Sequence, residues 1–388
     1  MTDSVAPRWR RQWVLVAYIA SIIIVSVQHL ALGDAGHKIL LIYRTASTDL
    51  LAGRNIYRTH ADLGLDYFRY SPTFALFFLP LAALPVAASL VLWNALNALA
   101  LYAAVGALLP ARQARVVCAL VLADLVRSMQ YSHSNGLVAA IMVAGFVAYE
   151  RGRPARAAWA VAGGAAIKIF PLDMGLFALL RPDRARAVAW IALAGVAMVL
   201  LPALVIGPHM LVQQYHWWMR LEAAETAKPM YALMDLIDAW TGRYWPRWPT
   251  QLVGLALLLG VVARRRDAWA DAAFRLRLLG AVLVFSVLFN HGAESPSYVI
   301  ALTGIAVWWV TTPRSALHDV LLLLTLLLVT VGRSSLVPRD FRLAVLDPAR
   351  TIVMPLVAVW VVMLAELLRL RSGPEVGQTE VAALEPTP

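Results

Sequence analysis

Four short polar clusters, set between long apolar runs, hold most of the side chains in this sequence that could do chemistry. The first, Asp66-Tyr-Phe-Arg69-Tyr70-Ser-Pro, closes a polar segment that begins at Asp34 and also carries Arg44, Asp49 and Tyr43. The second is Gln130-Tyr-Ser-His133-Ser-Asn135, with Asp124 and Arg127 just ahead of it. The third is Lys168-Ile-Phe-Pro171, and the fourth is Asn290-His291-Gly-Ala-Glu294-Ser295-Pro296. Together they supply carboxylates, imidazoles, cations and amides. That inventory fits an acid–base reaction on a phosphate-bearing substrate, in which a carboxylate takes a proton and cations hold phosphate oxygens. Asp66 or Glu294 can serve as the base, with His291 beside Glu294 to orient it or share its proton. Arg69, Lys168 and Arg44 can meet phosphate. Tyr70, Gln130, His133, Asn135, Asn290 and Ser295 can hydrogen-bond other polar groups of such a substrate.

Each group also has a purely structural role open to it. Asp66 and Arg69, three residues apart, can form a solvated ion pair. Asp124 and Arg127 can pair one helical turn apart. His133 can be a hydrogen-bonding partner, Lys168 can snorkel to the surface, and Glu294 can cap a helix start. Trp217 and Trp218 fit an interface anchor better than a sugar platform.

The elements that must position these groups are membrane helices. The 388 residues are 61% hydrophobic with mean hydropathy +0.68, against about 45–50% apolar in a soluble domain. Several apolar runs approach the roughly 18–20 residues a spanning helix needs, and none alternates with the period of a strand. The net charge of +11 does not indicate nucleic acid. Its arginines cluster between apolar runs, at Arg8/Arg10/Arg11, Arg151/Arg153/Arg156, Arg181/Arg184/Arg186, Arg264/Arg265/Arg266 and Arg369/Arg371. That is the positive-inside pattern, with both termini in the cytoplasm. Cys118 stands alone, which excludes an intramolecular disulfide, and no metal-binding motif is present.

Taken in order, residues 13–32 read as an uncleaved first span running outward. Segment 33–71 is then a long extracytoplasmic loop holding an amphipathic surface helix at 39–51, with Gly53 as its stop. Segment 72–85 is short and broken by Pro80. If it crosses the membrane, Arg112 and Arg115 fall outside, against the charge rule. Spans follow near 87–109, 116–130 and 136–149. Residues 157–180, interrupted at Lys168–Pro171 with arginines at both ends, predict a helical hairpin with Lys168 at its outer tip. A span at 187–206 leads to a second outer loop, 208–248, and spans near 250–263, 278–290, 298–311, 318–332 and 351–368 complete an all-α polytopic bundle. Roughly ten to thirteen membrane helices are expected. Residues 1–371 form one membrane domain, and 372–388 read as a disordered cytoplasmic tail. This topology puts all four clusters at or near the outer side.

The run LLAGRNIYRTHADLGLDYFRYSPTFALFFLPLAALP, then QYSHSNGLVAAIMVAGFVAYERGR, GGAAIKIFPLD and NHGAESPSYVIALTGIAVWW, resembles glycosyltransferase family 87 over most of residues 40–311. The resemblance implies a GT-C fold and an inverting transfer of a hexose from a polyprenyl-phosphate sugar to an extracytoplasmic lipid or glycan. It implies no cofactor, since the lipid phosphate is itself a competent leaving group, and a site in the plasma (inner) membrane. A more distant likeness to GPI-anchor mannosyltransferases makes mannose the first sugar to consider. Many family members carry the basic Asp four residues ahead of a Tyr in the first loop. Counting back from Tyr43 reaches Ile39, so Asp34, Asp66 and Glu294 are the carboxylates left, with Asp66 placed first and Glu294 second.

A transporter or lipid flippase would share broken helices and polar groups at membrane depth. It would not need the elaborate first loop, and the sequence shows no matching inverted halves. A scaffolding protein would not carry Asp124, Lys168 and Glu294, each costly in lipid.

Overall fold

The computed structural model describes residues 8–225 and 230–370; the acidic, proline-containing tail lies outside them. The described chain is helical, and its one β-bridge, an isolated one, joins His60 and Leu65. α1 (Arg8–Ala31), α2 (Lys38–Leu51), α3 (Pro72–Ala82), α4 (Val86–Leu108), α5 (Ala111–Gln130) and α6 (Asn135–Glu150) form the N-terminal half. After them come α7 (Pro154–Ile167), α8 (Leu176–Leu179), α9 (Arg184–Leu200), α10 (Ala203–Ile206), α11 (Pro208–Glu225) and α12 (Leu233–Thr241). α13 (Arg247–Arg264), α14 (Ala272–Leu288), α15 (Tyr298–Thr311), α16 (Ala316–Thr325) and the C-terminal helix Met354–Arg369 close the bundle. Among the described residues, Gln12–Ala31, Val86–Leu108 and Arg184–Ile206 are long and apolar enough to cross a bilayer unaided. The other apolar helices are shorter, which suits broken or tilted elements supported by neighbours.

The core sits where α14 packs on α15, α4 on α6 and α6 on α7. α14 and α15 can touch because each presents a glycine to the other. A Cβ on Gly304 would lie 2.6 Å from the Gly280 carbonyl oxygen. Small residues at helix crossings are how apolar helices associate where lipid offers no hydrophobic drive.

The 11 residues of α3 span only about 16 Å at 1.5 Å per residue, half of what a crossing needs. α4 is long and apolar enough to cross, and Arg151 donates to the Ala107 carbonyl (3.3 Å) at its far end. Arg112 and Arg115, at the start of α5, therefore lie at the same end of the bundle as Arg151.

The hairpin expected over 157–180 is present. α7 ends at Ile167, Lys168 turns the chain, and a 3-10 turn (Phe170–Gly175) with α8 brings it back. Gly164 makes the return possible, because a Cβ there would stand 2.7–2.9 Å from Ile141 and Pro171. The segment 208–248 differs from expectation. It is largely helical, as α11 and α12, rather than a loop, because Gly207 (φ +76°) breaks the chain and Pro208 restarts it. The first loop is fixed by a knot that composition alone does not reveal. Asp49, 2% exposed, receives Arg54 Nε at 2.7 Å and lies 3.0 Å from His60 Nε2. Trp218 of α11 stacks on Tyr57 with ring planes 5° apart, so it braces this loop.

Candidate active site

Four connections at one end of the bundle build the site, each shaped by local sequence. Ser71 caps α3 by accepting from Phe74 N at 3.2 Å, and its hydroxyl donates to the Ala166 carbonyl. One side chain thus ties the loop segment carrying Arg69 and Tyr70 to the turn carrying Lys168. Between α5 and α6 the chain reverses at Ser132, held at φ +54° with its carbonyl accepting from Trp93 Nε1 (2.9 Å). A non-glycine residue tolerates that region only when its surroundings enforce it. The reversal points His133 inward, where it is 9% exposed. Gly136 keeps α6 close to α4, since its Cβ would meet the Asn97 carbonyl at 3.1 Å. The fourth connection, between α14 and α15, is pinned where Tyr231 N donates to the Ala293 carbonyl (3.0 Å), next to Glu294.

Glu294 is the centre of the arrangement. Its Oε2 lies 3.3 Å from His133 Nε2, and the carboxylate is 30% exposed, open to a substrate. Burial pulls the His133 imidazole down to about 4; Lys168 and Arg69 add to the fall and Glu294 opposes it. At neutral pH His133 is therefore uncharged. Its Nε2 faces the carboxylate, and its Nδ1, the other ring nitrogen, is buried without a hydrogen-bond partner. Lys168 Nζ donates to Asn135 Oδ1 at 2.9 Å; burial lowers its pKa and the nearby Glu294 supports its charge. Tyr43 donates its hydroxyl to that of Tyr70 (2.8 Å). Burial raises the Tyr70 phenol well above its ordinary value; the bond from Tyr43 opposes this and Glu294 adds to it.

So the structure brings together Arg69, Tyr70, His133, Asn135, Lys168 and Glu294. Tyr43 and Ser134 join them. The sequence pattern singles out neither, although Tyr43 sits on the buried face of α2 and Ser134 lies inside the QYSHSN cluster. The remaining candidates go elsewhere. Asp66 is on the surface, its side chain 58% exposed and paired with Arg69 at 2.9 Å. Asp34 is 88% exposed. Arg44 donates to the Leu81 carbonyl (3.0 Å), at the far end of α3 from Tyr70, so it does not sit with the other cations. Gln130 reaches Gln28 of α1 at 3.2 Å. Asn290 Oδ1 accepts from Gly292 N (2.8 Å), shaping its own turn. His291 Nδ1 faces Gln251 at 3.5 Å, not Glu294, so His133 takes the place expected for it. Ser295 accepts from Arg333 Nε (3.3 Å). Asp124, Arg127 (2.6 Å) and Thr330 form a structural lock between α5 and the π-helical turn Leu326–Val331. Among the described residues no cluster of His, Cys, Asp and Glu is arranged to hold a metal.

A helical membrane protein that gathers a carboxylate, an imidazole, two cations and hydroxyls at one end of its bundle is equipped for group transfer beside the bilayer. Residues 68–290, more than half of the chain, match glycosyltransferase family 87. The chain belongs to that family and is a membrane glycosyltransferase. No curated protein matches it.

Proposed function

We propose that this enzyme moves a hexose, mannose being the first candidate, from a polyprenyl-phosphate sugar to an extracytoplasmic lipid or glycan, with inversion and with Glu294 as general base. The observation that carries this reading is the contact between Glu294 and the uncharged His133 beside two cations. The acceptor hydroxyl gives its proton to Glu294 as its oxygen attacks the anomeric carbon from the face opposite the phosphate. The anomeric C–O bond breaks and its electrons leave with polyprenyl phosphate. Lys168 and Arg69 neutralise that charge as it develops, which is where fixed cations lower a barrier most. The proton then leaves Glu294 to solvent through the exposed part of the carboxylate, which resets the base, while the uncharged His133 holds the carboxylate in place. Tyr70, held in place by Tyr43, supplies a hydroxyl for orienting the sugar, and Asn135 steadies Lys168. No cofactor enters this scheme, and the polyprenyl chain lies among apolar helix faces in the plasma membrane. Among the carboxylates, Glu294 is preferred over Asp66 because Asp66 is exposed and already engaged by Arg69.

The test compares Glu294→Gln with Asp66→Asn in purified protein given labelled polyprenyl-phosphate mannose. Loss of a general base costs about 10²–10⁴-fold in rate. Glu294→Gln is expected to lose that much with an unchanged melting temperature, and Asp66→Asn to stay within a few-fold of wild type. The opposite pattern returns the base to Asp66.

A further inference from the structure

A second polar site lies at the other end of the bundle. α6 runs from Asn135, beside Lys168, to Glu150; its 16 residues place the two ends about 24 Å apart. Around Glu150, the ends of α6 and α8 and the starts of α9 and α14 enclose a cavity of about 640 Å³. Part of its wall is rigid. Arg275 is held by both oxygens of Glu150 at 2.7 Å each, and Arg181 by Asp183 at 2.7 Å and the Tyr149 carbonyl at 2.6 Å. The rest of the wall is not spent in this way. Arg184 and Arg266 line the cavity, are exposed, and have no carboxylate partner among the described residues; Arg266 lies 6.0 Å from the Trp269 ring, and Asp267, which also lines the cavity, is paired with Arg265 at 3.1 Å. Tyr149 is 2% exposed, yet its hydroxyl is buried with no hydrogen-bond partner. Opposing charge and donors therefore wait on one space.

We propose that this cavity binds the phosphate group of an anionic ligand, with Arg184 and Arg266 as its cations and the Tyr149 hydroxyl as a neutral donor. Guanidinium groups match phosphate oxygens in planar, two-point fashion. The remaining wall, with Phe177, Leu180 and Trp269, suits the apolar part of a lipid. Arg184 also begins α9, which is largely unburied and leaves Leu193, Val196 and Leu200 facing outward. A lipid lying against α9 would carry its headgroup to Arg184, where basic pockets at a membrane surface meet anionic headgroups. A soluble phosphate ester offers the same chemistry from the other side. The site shares no residue with the transfer reaction and does not depend on it.

The experiment uses the full chain in neutral detergent and three probes: short-chain phosphatidylglycerol, inorganic phosphate, and diacylglycerol of the same chain length. Phosphatidylglycerol is expected to bind wild type and Glu294→Gln alike, and to bind the double variant Arg184→Ala/Arg266→Ala about tenfold or more weakly. Tyr149→Phe is expected to weaken it a few-fold. Inorganic phosphate that binds as tightly, with the same dependence on both arginines, makes a soluble phosphate the source and removes the lipid. Because both arginines are exposed and hold no ion pair, the double variant is expected to melt like wild type. Equal binding by wild type and the double variant, or binding of diacylglycerol as tight as that of phosphatidylglycerol, overturns the proposal.

Discussion

His133 and Glu294 meet at 3.3 Å although they stand on connections far apart in the chain, and the chemistry of each depends on the other. The imidazole is held at about 4, below its ordinary value of about 6.5. The unfolded chain then binds a proton that the folded one refuses. Stability from this group is complete above about pH 6.5 and is lost as pH falls through about 4. The melting temperature of wild type is expected to drop across that window, and His133→Gln to drop less. Equal slopes would remove the linkage. The residue types of the site are legible in the sequence, because ionisable groups inside apolar runs are rare and expensive. Which carboxylate holds the centre is not. Asp66 and Glu294 both precede a Ser-Pro within a few residues, and only burial and neighbours separate them. His291 is nearer to Glu294 along the chain than His133 is, whereas the turn made by Asn290 sends it toward Gln251.

At the scale of elements, the hairpin of α7 and α8 is legible from its punctuation: arginines at both ends and Lys168 with Pro171 at the middle. The helices α11 and α12 are not, because their tryptophans and charges read equally well as an interfacial loop. What holds the hairpin shut is a glycine. Gly164→Val would drive a side chain into Ile141 and Pro171, an overpacking that typically costs about 1–3 kcal/mol. It should also displace Lys168, four residues on. The expected result is a lower melting temperature together with a raised KM for the donor. Gly163→Ala is the control, since nothing lies within 4 Å of a Cβ there, and both quantities should stay at wild-type values.

For the whole molecule, the same polar vocabulary serves two purposes. Asp124 and Arg127 look in sequence like catalytic neighbours of His133, but Asp124 is 2% exposed and closed by Arg127 and Thr330. Arg127 also donates to the Val329 and Thr330 carbonyls at 3.2 and 2.6 Å, so one side chain fastens the C-terminal third to α5. Removing one partner of a buried pair costs about 3–5 kcal/mol because the other charge is stranded. Arg127→Ala is expected to be strongly destabilised, and Asp124→Ala/Arg127→Ala less so, measured as detergent-resistant folded fraction. The helical class is plain from hydropathy. The number of crossings is not, since only three described helices span by length and composition and the others rely on neighbours that sequence does not display.

The order of the chain adds a temporal constraint. Arg69, His133 and Lys168 leave the ribosome well before Glu294. Until Glu294 is made, Arg69 has only its neighbour Asp66 as a carboxylate, and Lys168 and His133 lack the one that faces them. The reactive end of this enzyme therefore cannot be complete until the connection after α14 has been made, and a chain released early carries the cations without the carboxylate they surround.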